Sequence, residues 1–135
     1  MRPTKDQWAL EIARVTASRS TCDRKAVGCV LTDEFGHILS TGYNGAASGL
    51  PHCNHSGDRH GREYCEAIHA EQNALLQCPD IYKIHTCYVT LSPCPVCCRL
   101  LLNTSCKRII FLEEYSDLTS KTIWESAGRE WVHYG

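Results

Sequence analysis

Residues 84–104 read IHTCYVTLSPCPVCCRLLLNT, a nearly continuous apolar run that gives way to a serine, two prolines and a leucine-rich tail. The first eight residues have the length and apolar content of a buried strand. Ser92, Pro93 and Pro95 suit the start of a helix, which the leucines continue. KRIIFL at 107–112 then reads as another strand. Strand, helix and strand in that order predict parallel neighbours in one sheet.

Upstream, AVGCVLT (26–32) and HILSTGY (37–43) are short β-branched runs on either side of DEFG, the chemistry of a hairpin turn. Thr4 followed by Gln7 is a capping-box pattern, and Trp8, Ile12 and Val15 fall at i, i+4 and i+7 on one face of a helix predicted from about residue 5 to 18. Ala67 to Cys78 is strongly helix-forming and ends at Pro79-Asp80, which puts His69 and Glu71 in its first turn. LTSKTIWESAG at 118–128 predicts a helix with Gly128 as its stop, and EWVHY a short edge strand. A hairpin followed by alternating helices and strands implies an α/β fold of three layers, α/β/α, around a mixed central sheet of about five strands.

The 135 residues fit one domain, 1–135, with no internal repeat. Apolar content of 43% and charged content of 21% are globular values, which excludes a disordered chain. Lys and Arg number 14 against 15 Asp and Glu, without a basic run, so long nucleic acid is a poor partner. Lys5, Asp6, Glu11 and Arg14 interrupt the first apolar segment, and no membrane span follows. A soluble, cytoplasmic protein is therefore expected. The ten cysteines, in that setting, favour reduced thiols and metal over disulfides. Cys29, Cys87 and Cys106, set in or beside strands, read as small buried hydrophobes.

Two short motifs carry the chemistry. His69-Ala-Glu71 opens one helix and Pro93-Cys94-Pro-Val-Cys97 opens another. Together they supply one nitrogen, two sulfurs and an unligated carboxylate, the composition of a catalytic zinc site that keeps one position open for water. Cys94 and Cys97, at i and i+3, share a helix face, and Cys98 at i+4 lies near that face too. His69 and Glu71, at i and i+2, point about 200° apart in a regular helix, so both face one site only if the histidine lies at the irregular helix entrance or the glutamate bends back. Residues 50–72, LPHCNHSGDRHGREYCEAIHAEQ, crowd further donors into the long 44–66 loop: His52, Cys53, His55, His60 and Cys65. A loop of that length implies a clamp, and these donors imply a metal clamp.

The pair His-x-Glu and Pro-Cys-x-x-Cys is the zinc-deaminase signature. With HAEQNALLQ, TLSPCPVCC, GYNGAASGLPHC and RSTCDRKAVG in that company, residues 15 to 112 resemble the phage and bacterial deoxycytidylate (dCMP) deaminases of the zinc-dependent cytidine deaminase superfamily. The resemblance implies a cytidine-deaminase-like domain that converts dCMP to dUMP and ammonia, with the product feeding thymidylate synthesis. It implies a catalytic Zn²⁺ on His69, Cys94 and Cys97, and Glu71 as proton shuttle. By the same resemblance Asn44 contacts the sugar and base, Tyr115 caps the nucleotide near its phosphate, and Arg24 meets the phosphate. A second, structural Zn²⁺ is implied on Cys22, Cys53, His60 and Cys65, with His55 as the alternative to His60. A homohexamer is also implied, activated by dCTP with Mg²⁺ and inhibited by dTTP. Alternative activities that share the zinc motif are deamination of dCTP alongside dCMP, and a nucleic-acid (tRNA adenosine) deaminase.

Overall fold

The computed structural model describes residues 1–52 and 65–135. Its elements run α1 (Lys5–Ala17), β1 (Gly28–Thr32), β2 (Ile38–Tyr43), α2 (Ala70–Gln77), β3 (Thr86–Leu91), α3 (Pro95–Leu102), β4 (Arg108–Glu113), α4 (Thr119–Ser126) and β5 (Glu130–His133). Five strands form one sheet in the order β2-β1-β3-β4-β5. The β1–β2 and β1–β3 pairs are antiparallel, whereas β3–β4 and β4–β5 are parallel. The sheet is thus mixed. Among the described residues no helix is long and apolar enough to cross a membrane.

The hairpin forms where DEFG predicts it. Gly36 takes φ +84°, Asp33 pairs with His37 through Asp33 N–H to His37 O at 2.9 Å, and Oδ1 of Asp33 accepts from the amides of Phe35 and His37 at 2.9 Å each. A type I turn closed by a left-handed glycine has this pattern. Gly128, at φ +76°, stops α4 in the same way, one residue past the Ala127 cap.

Side-chain alternation along the strands sorts the core into two layers. Cys29, Leu31, Cys87, Val89, Ile109 and Phe111 meet Ala70 and Ala74 of α2, Cys98 and Leu101 of α3, and Trp124 of α4. Val30, Tyr88 and Ile110 face the other way and meet Ala9, Leu10 and Ala13 of α1. Hence, among the described residues, α1 covers one face alone and three helices cover the other. Cys29, Cys87 and Cys106 are wholly buried.

Helix α1 corrects the expectation drawn from its large side chains. Its capping box forms, with Gln7 N–H to Thr4 Oγ1 at 3.1 Å and Thr4 N–H to Gln7 Oε1 at 2.8 Å. The buried face, however, is Ala9, Leu10, Ala13 and Ala17, while Trp8 and Val15 are 42% and 68% exposed. Small residues win that face because the backbone itself comes close: a Cβ placed on Gly28 would lie 2.0 Å from the Ala13 carbonyl oxygen.

Helix α2 is held on β2 with similar closeness. A Cβ on Gly42 would lie 2.4 Å from Ala70 O and from Ala74 N. Ser40 Oγ donates to Ala74 O at 2.8 Å, and Asn73 Nδ2 to Tyr43 O at 2.8 Å. Beyond β2, Gly45 and Ile68 exchange backbone hydrogen bonds of 3.1 and 2.7 Å. That bridge fixes the chain immediately before His69.

Candidate active site

His69 and Cys94 occupy equivalent places in the two helices that follow. Each is an N-cap with extended backbone, φ −72° and ψ 153° for His69 and φ −72° and ψ 167° for Cys94. Cap residues stand outside the helical repeat, so His69 is freed from the angular spacing that would separate it from Glu71. The expectation that His69 lies in the first turn is corrected accordingly: the helix begins at Ala70 because the His69 N–H is taken by Gln72 Oε1 at 2.8 Å. At α3, Pro95 fills the first helical position, where its missing N–H costs nothing. Ser92 precedes this cap and instead accepts the Tyr115 N–H at 3.0 Å.

The structure brings His69, Cys94 and Cys97 together, with their donor atoms all within 4.8 Å of one another. Nδ1 of His69 lies 3.2 Å from Sγ of Cys97 and 3.5 Å from Sγ of Cys94. Zinc bonds of about 2.0 Å to nitrogen and 2.3 Å to sulfur would set tetrahedral N and S donors about 3.5 Å apart, so the spacing fits this ion. Cys98 turns away and meets the Ser120 carbonyl at 3.5 Å. Of the two candidate partners for Cys94, the cluster therefore contains Cys97.

Charge supports the same fit. The Cys94 thiol is driven down to about 3, chiefly by the hydrogen bond with Cys97 and further by His69, against the opposing effect of burial. Cys97 is pushed up, chiefly by its hydrogen bond with Cys94 and by burial, and further by the charge of Glu71. Glu71 is only 4% exposed, and burial pushes its carboxyl up to about 7, opposed by a backbone hydrogen bond and His69 and aided by Cys94. Three acidic groups gathered out of water call for a cation.

His69 and Cys94 of the cluster line an open-mouthed pocket. Arg24, Asn44, Tyr115 and Cys65 line it together with His69, Glu71 and Cys94. Leu91 and Ser92 place it past the C-terminal end of β3, next to its parallel neighbour β4, where ligands bind in such sheets. Burial alone would lower the Arg24 guanidinium, but its hydrogen bond with Tyr115 raises it, with further help from Cys65 and Cys22. Asn44 spends part of its amide on the backbone, with Oδ1 accepting from Val27 N–H at 2.9 Å and Nδ2 donating to Lys25 O at 2.6 Å. No described residue other than glycine has positive φ, so Asn44 is not a left-handed turn residue.

Of the second donor group, Cys22 and Cys65 come together with Sγ atoms 3.8 Å apart, packed on Ala67. Cys53, His60 and the alternative His55 lie outside the described residues. Sequence reasoning passed over Lys25, Val27, Ala67 and Ser92, which also line the pocket. For Lys25 a signal existed, its position directly after Arg24.

A donor trio with an acid beside it, enclosed but open at one end, is the arrangement of a catalytic metal centre, since structural zinc sites close all four positions. The profile of the cytidine and deoxycytidylate deaminase zinc-binding region matches residues 3–113. The deoxycytidylate deaminase of Mycobacterium phage D29 is 36% identical over 126 residues, covering 84% of this chain and 98% of that protein. The deoxycytidylate deaminase of Saccharomyces cerevisiae is 32% identical over 139 residues, covering 95% of this chain but 44% of that protein, so the chain spans less than half of the yeast relative. The crystal structure of the cyanophage S-TIM5 dCMP deaminase in complex with dCMP and dUMP superposes with a TM-score of 0.85 at 27% identity, over 99% of each chain. The chain belongs to the cytidine and deoxycytidylate deaminase family, and its fold is that of the dCMP deaminases.

Proposed function

We propose that this protein hydrolyses dCMP to dUMP and ammonia. The observation that carries the reading is the convergence of His69, Cys94 and Cys97 beside buried Glu71, in a pocket whose rim holds Arg24 and Tyr115. The phage D29 and S-TIM5 relatives, matched over almost their whole length, support the choice of dCMP.

His69, Cys94 and Cys97 would hold the zinc, which when bound supplies Lewis-acid activation of water near neutral pH. Glu71 moves the protons. It takes one from the attacking water and delivers it to N3 of the cytosine ring, then carries the second to the exocyclic amine. The C4–N bond breaks, ammonia leaves with its electron pair, and the oxygen remains on C4 as a carbonyl. The low polarity around Glu71 strengthens both transfers. Asn44 still has one amide hydrogen and one lone pair for the sugar and base, while Arg24 and Tyr115 receive the phosphate.

Cys22 and Cys65 support a second zinc of structural role, completed by Cys53 and His60 or His55, because tetrahedral sulfur ligands stand about 3.8 Å apart. Cys53→Ser would then lower the metal content from two zincs per chain to one. Regulation follows the same reading: a homohexamer in the cytoplasm, activated by dCTP with Mg²⁺ and inhibited by dTTP.

The deciding experiment measures ammonia release by the zinc-loaded protein from dCMP, dCTP, CMP and cytidine, each with and without dCTP plus Mg²⁺ or dTTP. Highest kcat/KM for dCMP is expected. Release from another substrate but not from dCMP would overturn the reading.

A further inference from the structure

The pocket rim carries a second cation beside Arg24. Lys25 lines the pocket, and its Nζ lies 2.9 Å from Oε2 of Glu113. The Asn44 amide anchors the Lys25 carbonyl at 2.6 Å and the Val27 N–H at 2.9 Å, so the lysine projects from fixed backbone. Glu113 is equally well placed. It ends β4 opposite Leu91 of β3, and its carbonyl accepts the Ser92 N–H at 2.8 Å.

We infer that Lys25 and Glu113 together set how many phosphate groups the site accepts: Lys25 leaves Glu113 for the 5′-phosphate of a monophosphate, and Glu113 repels the further phosphates of a triphosphate. This rests on the dCMP reading above and adds a specificity-determining pair to it. The side chains of the pair are 37% and 63% exposed, and an ion pair so open to water is weak. Exchange of Glu113 for phosphate therefore costs little, and the released carboxylate returns to solvent. Phosphate accepts charge-assisted hydrogen bonds that are stronger than neutral ones. Its dianion is matched in charge by Arg24 and Lys25 together. A nucleoside without phosphate leaves Lys25 on Glu113 and gains nothing from it. Additional phosphates meet an unpaired carboxylate, a repulsive element of the kind that specificity requires.

The test compares zinc-loaded wild type, Lys25→Met, Lys25→Arg and Glu113→Gln by kcat/KM for deoxycytidine, dCMP and dCTP. Lys25→Met should lower the ratio of dCMP to deoxycytidine about tenfold, mainly through the KM for dCMP, and Lys25→Arg should restore most of it. Glu113→Gln should raise the ratio of dCTP to dCMP about threefold or more at low salt, with the gain shrinking as salt screens it. An unchanged first ratio overturns the part given to Lys25, and an unchanged second ratio the part given to Glu113. If wild type deaminates dCMP while both ratios stay flat, only this inference fails. If wild type releases no ammonia from dCMP, the dCMP reading fails and this one with it.

Discussion

Nδ1 of His69 lies 3.2 Å from Sγ of Cys97, across 28 positions of sequence. Two helix entrances must be placed on one end of the sheet for that approach, and the Gly45–Ile68 bridge and the packing of α2 on Gly42 do so for the histidine. Cys97→Ser should therefore remove the zinc held with His69 and Cys94, one ion per chain, since a neutral hydroxyl is a poor replacement for a thiolate. Cys98→Ser should keep it, because that side chain faces the Ser120 carbonyl. Metal analysis of the two purified variants separates these outcomes, and equal loss in both would argue against the donor set.

Glu71→Gln tests the proton shuttle with the least disturbance, as the amide keeps the size of a side chain that is 4% exposed. Zinc content should stay at the wild-type level while kcat for dCMP falls by about 10²–10⁴, the range for loss of a general acid–base group. A variant that turns over dCMP at the normal rate would remove Glu71 from the mechanism.

Much of this site was legible because its donors sit in two local motifs, each at a helix start. What periodicity could not supply was the turn of the chain at His69. An N-cap conformation lets histidine and glutamate share a pocket that regular helical spacing denies them. The large side chains of α1 mark the wrong face for another reason: Trp8 and Val15 are exposed and Ile12 is only partly buried, because close backbone approach favours small residues on the buried face. Alanine at positions 9, 13 and 17 marks the buried face, and Gly28 explains why. Ser92 was illegible as a pocket residue, and Lys25 offered only its place after Arg24, because the meeting of the β1 entrance with the β3 exit is what makes them neighbours.

Asn44 anchors the backbone of the pocket wall, and Asn44→Ala should show this both in stability and in substrate affinity. Loss of its side chain leaves the Val27 N–H and the Lys25 carbonyl without these partners. Removal of a partner from buried polar groups costs about 1–3 kcal/mol each, less where water can enter from the pocket. Denaturant titration should show reduced stability, and the KM for dCMP should rise as the anchored rim loosens. An unchanged KM together with unchanged stability would contradict the anchoring.

Asp33 gives the stability curve an acid-side feature. Local burial works against its ionisation, but hydrogen bonds from the His37 and Phe35 amides outweigh it and hold the carboxyl below the ordinary range. A lowered folded-state pKa stabilises above the unfolded value of about 3.9 and is lost as pH falls through the folded value. Asp33→Asn should thus be less stable than wild type at pH 7, with the gap in melting temperature closing below about pH 4. A gap that stays constant into acid would assign the difference to something other than the charge.

Gly28→Ala tests how closely α1 lies on the sheet. The added Cβ would sit 2.0 Å from Ala13 O and 2.6 Å from Ala17 N, both backbone atoms, so no side-chain rotation can relieve the contact. Gly28 does not have positive φ, so the cost is steric and not conformational. Pushing the helix away would also open the layer formed by Ala9, Leu10 and Ala13 against Val30, Tyr88 and Ile110. Overpacking of this kind costs about 1–3 kcal/mol, and more where backbone must shift. In a urea titration the midpoint should fall by that energy divided by the slope, and the slope should stay unchanged, since the surface exposed on unfolding is the same. The Cys94–Cys97 cluster lies across the sheet from α1, so zinc content should be retained. A midpoint equal to that of wild type would show that the helix can move away at no cost, and that the small-residue face of α1 is not set by backbone contact.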